Sequence, residues 1–145
     1  MEDNRYEGLK LEYQLCFPLY AASREVIKQY HPFLDPLGLT YTQYIVMMVL
    51  WQEQDISVKE LGKKLFLDSG TLTPVVKALE KQGYVQKHRD VSDERIVLVT
   101  VTEKGYELRE KCLDIPSCVG KSIKLDPEDA VKLYELLYKV LGSIN

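Results

Sequence analysis

The sequence predicts a mainly α-helical fold with one small β-hairpin, and three observations in residues 57–101 predict it. Two short helical stretches are separated by a turn at 67–70. After Gly83 the apolar spacing changes from the helical period to alternation, in the β-branched runs 84–89 and 95–101. The turn-rich residues between the runs join them as an antiparallel hairpin. Helix, turn, helix and hairpin in this order form a winged helix-turn-helix.

The first helix of this pair has a start signal. Ser57 and Glu60 have the S-x-x-E spacing of a capping box, in which each side chain satisfies an orphan amide at a helix start. A short helix therefore begins near Val58 and stops near Phe66.

The second helix has one apolar and one polar face. Leu72, Val75, Val76 and Leu79 form a single buried stripe, and Gly83 ends the helix. We place its start near 70 or 71, so that Pro74 lies in the first turn, where no amide donor is needed. The opposite face has small and polar side chains that suit close approach to a DNA groove, and they are Ser69, Thr71, Thr73, Pro74 and Lys77.

The charge distribution favours DNA binding over an ordinary helical subdomain with a solvated polar face. The chain has a net charge of −3, whereas residues 57–89 hold seven Lys/Arg against three Asp/Glu. A basic module in an acidic chain fits a protein that contacts DNA through one patch, with affinity that falls as salt rises. In a winged helix the second helix enters the major groove, and the basic residues of the predicted wing reach phosphates or the minor groove: Lys87, Arg89 and Arg95.

Length and composition exclude several classes of protein. The chain has 145 residues, of which 46% are hydrophobic, enough for the core of one domain over 1–145. No apolar run approaches the ~20 residues that span a bilayer, and no signal-peptide pattern is visible, so we expect a cytoplasmic protein without a membrane partner. Three widely spaced cysteines argue against a secreted disulfide framework. We expect no metal, no cofactor and no catalytic residue, since the sequence has no C-x-x-C or His cluster.

Further helices flank the predicted DNA-binding module of 55–101. An apolar stripe from Leu9 predicts one long helix that Pro32 ends, and the pair Thr40 and Gln43 caps the next, from 41 to about 53. Residues 55 and 56 add a third strand to the wing.

The C-terminal part is also helical. Thr102 caps a helix that runs to Cys112, Pro116 must bend or break it, and 126–128 start the last helix. The helices within 9–40 and 103–145 carry more apolar surface than one small domain covers, which predicts a homodimer with interlocked terminal helices. Two recognition helices would then meet successive major grooves about 34–36 Å apart, so the double-stranded DNA operator should be an inverted repeat.

Cys16 is a candidate redox-active residue. Tyr20 lies four residues on, on the same helix face, and Tyr30 is only about 40° off that line by helical rotation. Phenol hydroxyls directed at the sulfur would stabilise the thiolate, which is the form that reduces a peroxide. The alternative is an inert core cysteine packed among aromatic rings.

The chain resembles the MarR family of winged-helix regulators, and within it the organic hydroperoxide resistance repressors. The resemblance covers nearly the whole chain and rests on L-E-Y-Q-L-C-F-P-L-Y, L-G-L-T-Y-T-Q-Y, L-F-L-D-S-G-T-L-T-P and the wing-tip D-E-R. It implies a dimeric repressor whose cysteine is oxidised by organic hydroperoxides to a sulfenic acid, with release of DNA.

The resemblance also assigns residues. Cys16 matches the sensing cysteine, and Tyr20, Tyr30 and Tyr41 match the tyrosines that hydrogen-bond to it or line its pocket, some from the partner chain. The recognition face and the wing match as predicted above, except that Ala78 stands where such relatives often carry a second basic residue.

Members of this family have one-cysteine and two-cysteine forms, and in the latter a C-terminal cysteine of the partner forms a disulfide with the sulfenic acid. Cys118 lies nearer the matching position than Cys112, and both being structural is the alternative. Two other functions stay open from the sequence. One is a MarR-type regulator induced by a bound phenolic or lipid ligand. The other is a thiol peroxidase, against which no second activating base is visible.

Overall fold

The structure is a computed structural model that describes residues 4–144; residues 1–3 and 145, at the two ends of the predicted domain, lie outside the described residues. It confirms the predicted fold class, because helices account for most of the described chain and the three short strands form one antiparallel sheet. The chain forms two compact units that divide after Ile115. The predicted limits of the DNA-binding and dimerisation regions stay predictions.

The prediction of one long N-terminal helix from Leu9 is wrong. Short 3₁₀ segments, Asn4–Leu9 and Leu11–Tyr13, precede helix α1, Cys16–Lys28. The physical reason is Pro18, which has no amide to donate to the carbonyl of Gln14 and fits only the first turn of a helix. The signal was present in the sequence as the L-C-F-P run.

Pro32 likewise begins a helix and does not end one. Helix α2, His31–Leu34, has this proline in its first turn and runs into the 3₁₀ segment Asp35–Leu37. Gly38 ends the segment with a left-handed backbone (φ 69°) that glycine adopts without a steric cost.

The predicted helix after this turn is confirmed. Helix α3, Tyr41–Glu53, has a complete capping box, in which the Thr40 side chain accepts from the Gln43 amide and the Gln43 side chain accepts from the Thr40 amide. Strand β1, Asp55–Ser57, follows it.

The helix-turn-helix has the predicted order. In helix α4, Val58–Leu65, only half of the predicted capping box forms: the Ser57 hydroxyl accepts from the Glu60 amide at 3.0 Å, but the Glu60 carboxylate pairs with Lys63 at 3.4 Å. Helix α5, Ser69–Lys81, ends at Gly83 (φ 87°), where the Tyr84 amide donates back to the carbonyl of Leu79 at 3.0 Å. This return bond is the hydrogen bond of a glycine helix stop.

The wing is an antiparallel sheet of order β1-β3-β2, with β2 at Val85–Arg89 and β3 at Val97–Val101. The predicted third strand is therefore confirmed. Val99, which is fully buried, pairs with Ile56 on one side and Lys87 on the other. The core of this unit joins α3, α4, α5 and the sheet through the buried side chains of Val46, Met47, Leu50, Leu61, Leu72, Val76, Leu79, Val85 and Val99.

Two helices follow the wing before the last one. Helix α6, Glu103–Lys111, starts at Thr102, whose hydroxyl accepts from the Gly105 amide, and helix α7 is Ile115–Gly120. The break lies at 112–114, before Pro116, so Cys112 and Cys118 do not share one continuous helix.

Helix α8, Pro127–Ile144, starts as predicted, because the Asp126 carboxylate accepts from the Asp129 amide at 2.8 Å. Neither α1 nor α8, both described over their full length, contains a buried residue. Between residues 4 and 144 no single helix is long and apolar enough to cross a membrane. The stretches Cys16–Leu37 and Tyr41–Glu53 together reach that length and composition, with a 76° bend between them.

Candidate nucleic-acid interface and thiol site

Packing against the core fixes which face of α5 is available to a ligand. Three residues on one face are each at most 1% exposed: Leu72, Val76 and Leu79. The opposite face is open, and all of its predicted DNA-contacting residues are exposed: Ser69, Thr71, Thr73, Pro74 and Lys77.

The prediction that Pro74 lies in the first turn is wrong. Asp68 caps the helix, with its carboxylate oxygen accepting from the Thr71 amide at 2.7 Å, so α5 already begins at Ser69. Pro74 therefore lies in the second turn and cannot donate to the carbonyl of Gly70. Hydrogen bonds from Thr71 also hold the pKa of Asp68 below its ordinary value.

The Thr73 hydroxyl is engaged within the helix. Its Oγ1 donates to the carbonyl of Ser69 at 2.6 Å. The donor of this side chain is thus already used, while the side chain as a whole stays exposed.

The tip of the wing is held in one shape by its own charges. Arg95 makes two hydrogen bonds to the Asp93 carboxylate, through Nε and Nη2, each 3.0 Å long. These bonds lower the pKa of Asp93 and raise that of Arg95. Arg89 donates to the carbonyl of Glu94 at 2.8 Å. Both arginines are exposed, so they are positioned to reach a phosphate backbone.

Lys87 is placed differently from the two arginines. Its amide donates to the Glu80 carboxylate at 3.0 Å, and its Nζ lies 3.8 Å from the same carboxylate. Lys87 therefore ties the wing to α5, and part of its charge is balanced before any DNA approaches.

Three lysines of α4 were missed by the sequence prediction. The first helix of a helix-turn-helix crosses the DNA backbone, which is the signal that would have identified them. Lys63 pairs with Glu60 and Lys64 pairs with Glu53 at 3.1 Å, and all three are exposed: Lys59, Lys63 and Lys64.

Cys16 is the exposed first residue of α1, and Tyr20 one turn later is 57% exposed. The guanidinium carbon of Arg24 lies 5.1 Å from the centre of the Tyr20 ring. The prediction that Tyr30 lies close to Cys16 on one helix is wrong, because α1 ends at Lys28. At 1.5 Å per residue, α1 separates Cys16 from Tyr30 of the same chain by about 18 Å.

Tyr30 instead belongs to a cluster of three tyrosines. Its ring centre lies 4.8 Å from that of Tyr41 and 5.7 Å from that of Tyr44. Tyr44 was missed by the sequence prediction, although its spacing of three residues from Tyr41 on α3 was a usable signal. Burial, with smaller contributions from Tyr30, Cys112 and Tyr41, raises the pKa of Tyr44 to about 12. The Tyr44 phenol is therefore a hydrogen-bond donor at neutral pH.

The other two thiols differ in their access to solvent. Cys112 is only 3% exposed, and burial raises the pKa of its thiol. Cys118 is half-buried. Of these two, Cys118 is the thiol that a reagent in solution reaches more easily.

Comparisons with known proteins identify a family of transcriptional regulators. Residues 28–112 match the family described as transcriptional regulator SarA/Rot. The organic hydroperoxide resistance transcriptional regulator of Bacillus subtilis (strain 168) is 46% identical over 143 residues, which cover 99% of this chain and 97% of that relative.

Solved structures of similar chains include complexes with DNA. Reduced AbfR bound to DNA has a TM-score of 0.78 at 32% identity, covering 97% of this chain and 98% of the other. The disulfide form of AbfR, a protein of Staphylococcus epidermidis, has a TM-score of 0.65 at 31% identity, covering 97% and 99%. A MarR variant of E. coli complexed with operator DNA has a TM-score of 0.79 at 26% identity, covering 96% and 99%. The chain belongs to the SarA/Rot and MarR-like family of winged-helix transcriptional regulators.

Proposed function

We propose that this protein is a DNA-binding transcriptional repressor that senses organic hydroperoxides through oxidation of Cys16 and then releases its operator. The observation that carries the proposal is the position of Cys16, exposed at the start of a helix without buried residues. The similar B. subtilis protein is named for organic hydroperoxide resistance, and the solved structures of AbfR include a reduced form bound to DNA and a disulfide form.

The sensing site is completed by a second copy of the chain. Phe17 and Leu19 of α1 and Leu133 and Leu136 of α8 are each more than 40% exposed, which leaves two apolar helices to be covered. A two-fold dimer that interlocks these helices buries them and brings Cys16 of one subunit to the partner subunit's Tyr30 and Tyr41. Tyr20 lies one turn from Cys16 in the same helix, whereas about 18 Å of helix separates Cys16 from Tyr30 of its own chain, so the Tyr30 phenol that reaches Cys16 is the partner's.

The same two-fold axis orders the DNA contacts. Two α5 helices enter successive major grooves of an inverted repeat, and the wing arginines Arg89 and Arg95 contact the flanking backbone. The exposed lysines of α4 add phosphate contacts. This module is basic in a chain of net charge −3, so operator affinity depends steeply on salt.

Oxidation proceeds in two balanced steps. The Cys16 thiolate attacks the terminal oxygen of the hydroperoxide, the O–O bond breaks, and the alcohol leaves after taking up a proton, so that Cys16 becomes a sulfenic acid. The thiol of the partner's Cys118 then attacks the sulfenic sulfur, and water leaves as the disulfide forms. Cys118 takes this role before Cys112, because Cys112 is buried and its pKa is raised.

Release of DNA follows from the change at the dimer contact. The added oxygen or the new disulfide alters the packing between α1 and the partner's tyrosines, which moves the helices that set the spacing of the two α5 helices. To go from almost all bound to almost all free, the reduced and the oxidised dimer must differ in their free energy of operator binding by about 5.5 kcal/mol. The protein acts in the cytoplasm without a cofactor, and each sensing thiol reacts once per reduction, as a regulator and not as an enzyme.

The test is a gel shift on the DNA upstream of the protein's own gene, with and without cumene hydroperoxide. The parent should lose its complex on oxidation, whereas Cys16→Ser should keep it. Loss of binding in both proteins, or in neither, would contradict the proposal. A Cys16→Ser variant that instead still responds to phenolic or lipid ligands would favour a ligand-induced regulator.

The resolving step has its own readout. Non-reducing electrophoresis of the oxidised parent should show a covalent dimer that Cys118→Ser abolishes and Cys112→Ser retains. A dimer band that persists in Cys118→Ser would show that the resolving cysteine is a different one.

A further inference from the structure

We propose that Thr73 and Pro74 form a non-polar contact with the 5-methyl group of one thymine in each operator half-site. The inference rests on the proposed function and deepens it, because it names a base that the recognition helix selects and the residues that select it. It follows from the side-chain geometry of the second turn of α5.

Thr73 presents its methyl group to the ligand. Its hydroxyl donates to the carbonyl of Ser69 at 2.6 Å, so the oxygen is directed along the helix at the main chain. The γ-methyl group occupies another staggered position on the same Cβ. The side chain is exposed, and what it offers outward is therefore mainly hydrocarbon.

Pro74 extends this non-polar surface. It lies about 200° around the helix from the buried Leu72, so its ring stands at the centre of the outward face. It is exposed and has no amide to donate. Gly70, one turn earlier on the same face, adds no side chain, which allows a groove edge to approach closely.

A non-polar patch on a recognition helix has one natural partner in the major groove. Thymine alone among the four bases presents a methyl group there, and threonine methyl groups and other apolar groups contact it. Cytosine at that place would present an amino donor, which would lose water without gaining an acceptor. Ser69 and Lys77 lie beside the patch, and their hydroxyl group and charge are suited to hydrogen-bonded contacts, whereas the Thr71 side chain already hydrogen-bonds to Asp68.

The test replaces each thymine of a footprinted operator fragment by deoxyuridine, one symmetric pair at a time, and measures affinity by fluorescence anisotropy. Uracil keeps every hydrogen-bonding group and lacks only the methyl. Each lost methyl contact should weaken binding about fourfold, because it leaves one methylene-sized group without its apolar partner. One thymine pair should show this effect.

Two protein variants connect the effect to Thr73. The readout is the ratio of the affinity for the thymine operator to the affinity for the operator with uracil at that pair. Thr73→Val keeps a methyl group and removes the hydroxyl, so it should keep this affinity ratio. Thr73→Ser keeps the hydroxyl and removes the methyl, so its ratio should fall towards one, while its melting temperature shows that it is folded. Pro74→Ala should reduce the ratio in part.

Two results would overturn the inference alone: tolerance of uracil at every position by the parent, or a full ratio in Thr73→Ser. Failure of the reduced parent to bind its upstream DNA at low salt would refute the proposed function, and the inference would fall with it.

Discussion

Replacing Gly62 by alanine tests how the turn of the helix-turn-helix is built. Gly62 lies in α4 and is buried, and its carbonyl accepts from the Leu67 amide at 3.0 Å as the chain turns back over the helix. Phe66 makes this turn with a left-handed backbone (φ 56°). A methyl group on Gly62 would lie 2.6 Å from the Leu67 carbonyl oxygen and 3.2 Å from Cδ1 of Leu72.

These distances set the size of the effect. Overpacking of a closely fitted site costs about 1–3 kcal/mol, and an obstruction by main-chain oxygen puts Gly62 at the upper end of that range. The higher helix propensity of alanine returns about 1 kcal/mol. We therefore expect a net loss of about 2 kcal/mol, and for a chain of this length each kcal/mol lowers the melting temperature by about 2–4 °C.

The assay is thermal unfolding followed by circular dichroism, with operator affinity measured well below the transition. Gly120→Ala is the matched control, because a methyl group there meets nothing within 4 Å. Gly62→Ala should melt about 4–8 °C below the parent and bind DNA more weakly, since the turn sets how α5 is presented. A melting temperature equal to or above that of the parent would refute this account of the turn.

Three other predictions concern the wing, the cap of α5 and the buried thiol. Arg95→Ala should reduce the slope of log affinity against log salt by about 1 for each contacted phosphate, as measured by anisotropy between 50 and 200 mM salt. Asp93→Ala should weaken binding in the same assay and keep most of that slope. Asp68→Ala should unfold in less urea than the parent at pH 7. Because the folded-state pKa of Asp68 is lowered, the parent's advantage should be complete above the ordinary carboxyl pKa and should vanish as pH falls through the lowered value; an advantage that grows in acid would contradict the cap. N-ethylmaleimide should modify Cys112 of the native protein more slowly than Cys118 by peptide mass analysis, with equal rates in urea; equal native rates would contradict its burial.

The parts of the fold that were predictable are those that local chemistry decides. The pair Thr40 and Gln43 and the run at 126–128 each satisfy orphan amides within one turn of their own helix, so sequence spacing alone locates them. The glycine stop at Gly83 is equally local. The wing followed from β-branched alternation and turn residues.

The wrong predictions concern the starts of two helices that contain proline, α1 and α5. At the N-terminus the apolar stripe from Leu9 suggested one helix, but Pro18 requires a helix start, and periodicity does not register a missing amide. In α5, by contrast, the proline does not mark the first turn of the helix. The buried anchors Leu72 and Val76 and the cap at Asp68 hold the helix through Pro74 despite its lost hydrogen bond.

Contacts that depend on tertiary packing could not be predicted from the sequence. The cluster of Tyr30 with Tyr44 and the burial of Cys112 join distant parts of the chain, and no spacing rule connects them. The pairing of Lys87 with Glu80 is similar, because it depends on how the wing packs on α5. The identities of the sensing and resolving thiols remain proposals that rest on exposure and on resemblance.

The most direct measurement follows Cys16 oxidation and operator release in the same sample. Cumene hydroperoxide is titrated into the complex of Cys118→Ser with fluorescent operator DNA, and sulfenic acid at Cys16 is trapped with dimedone and quantified by mass spectrometry at each point. The account predicts that the trapped fraction increases in step with the released fraction. Release without modification of Cys16, or full modification with the complex intact under the same conditions, would contradict the claim that this thiol controls DNA binding.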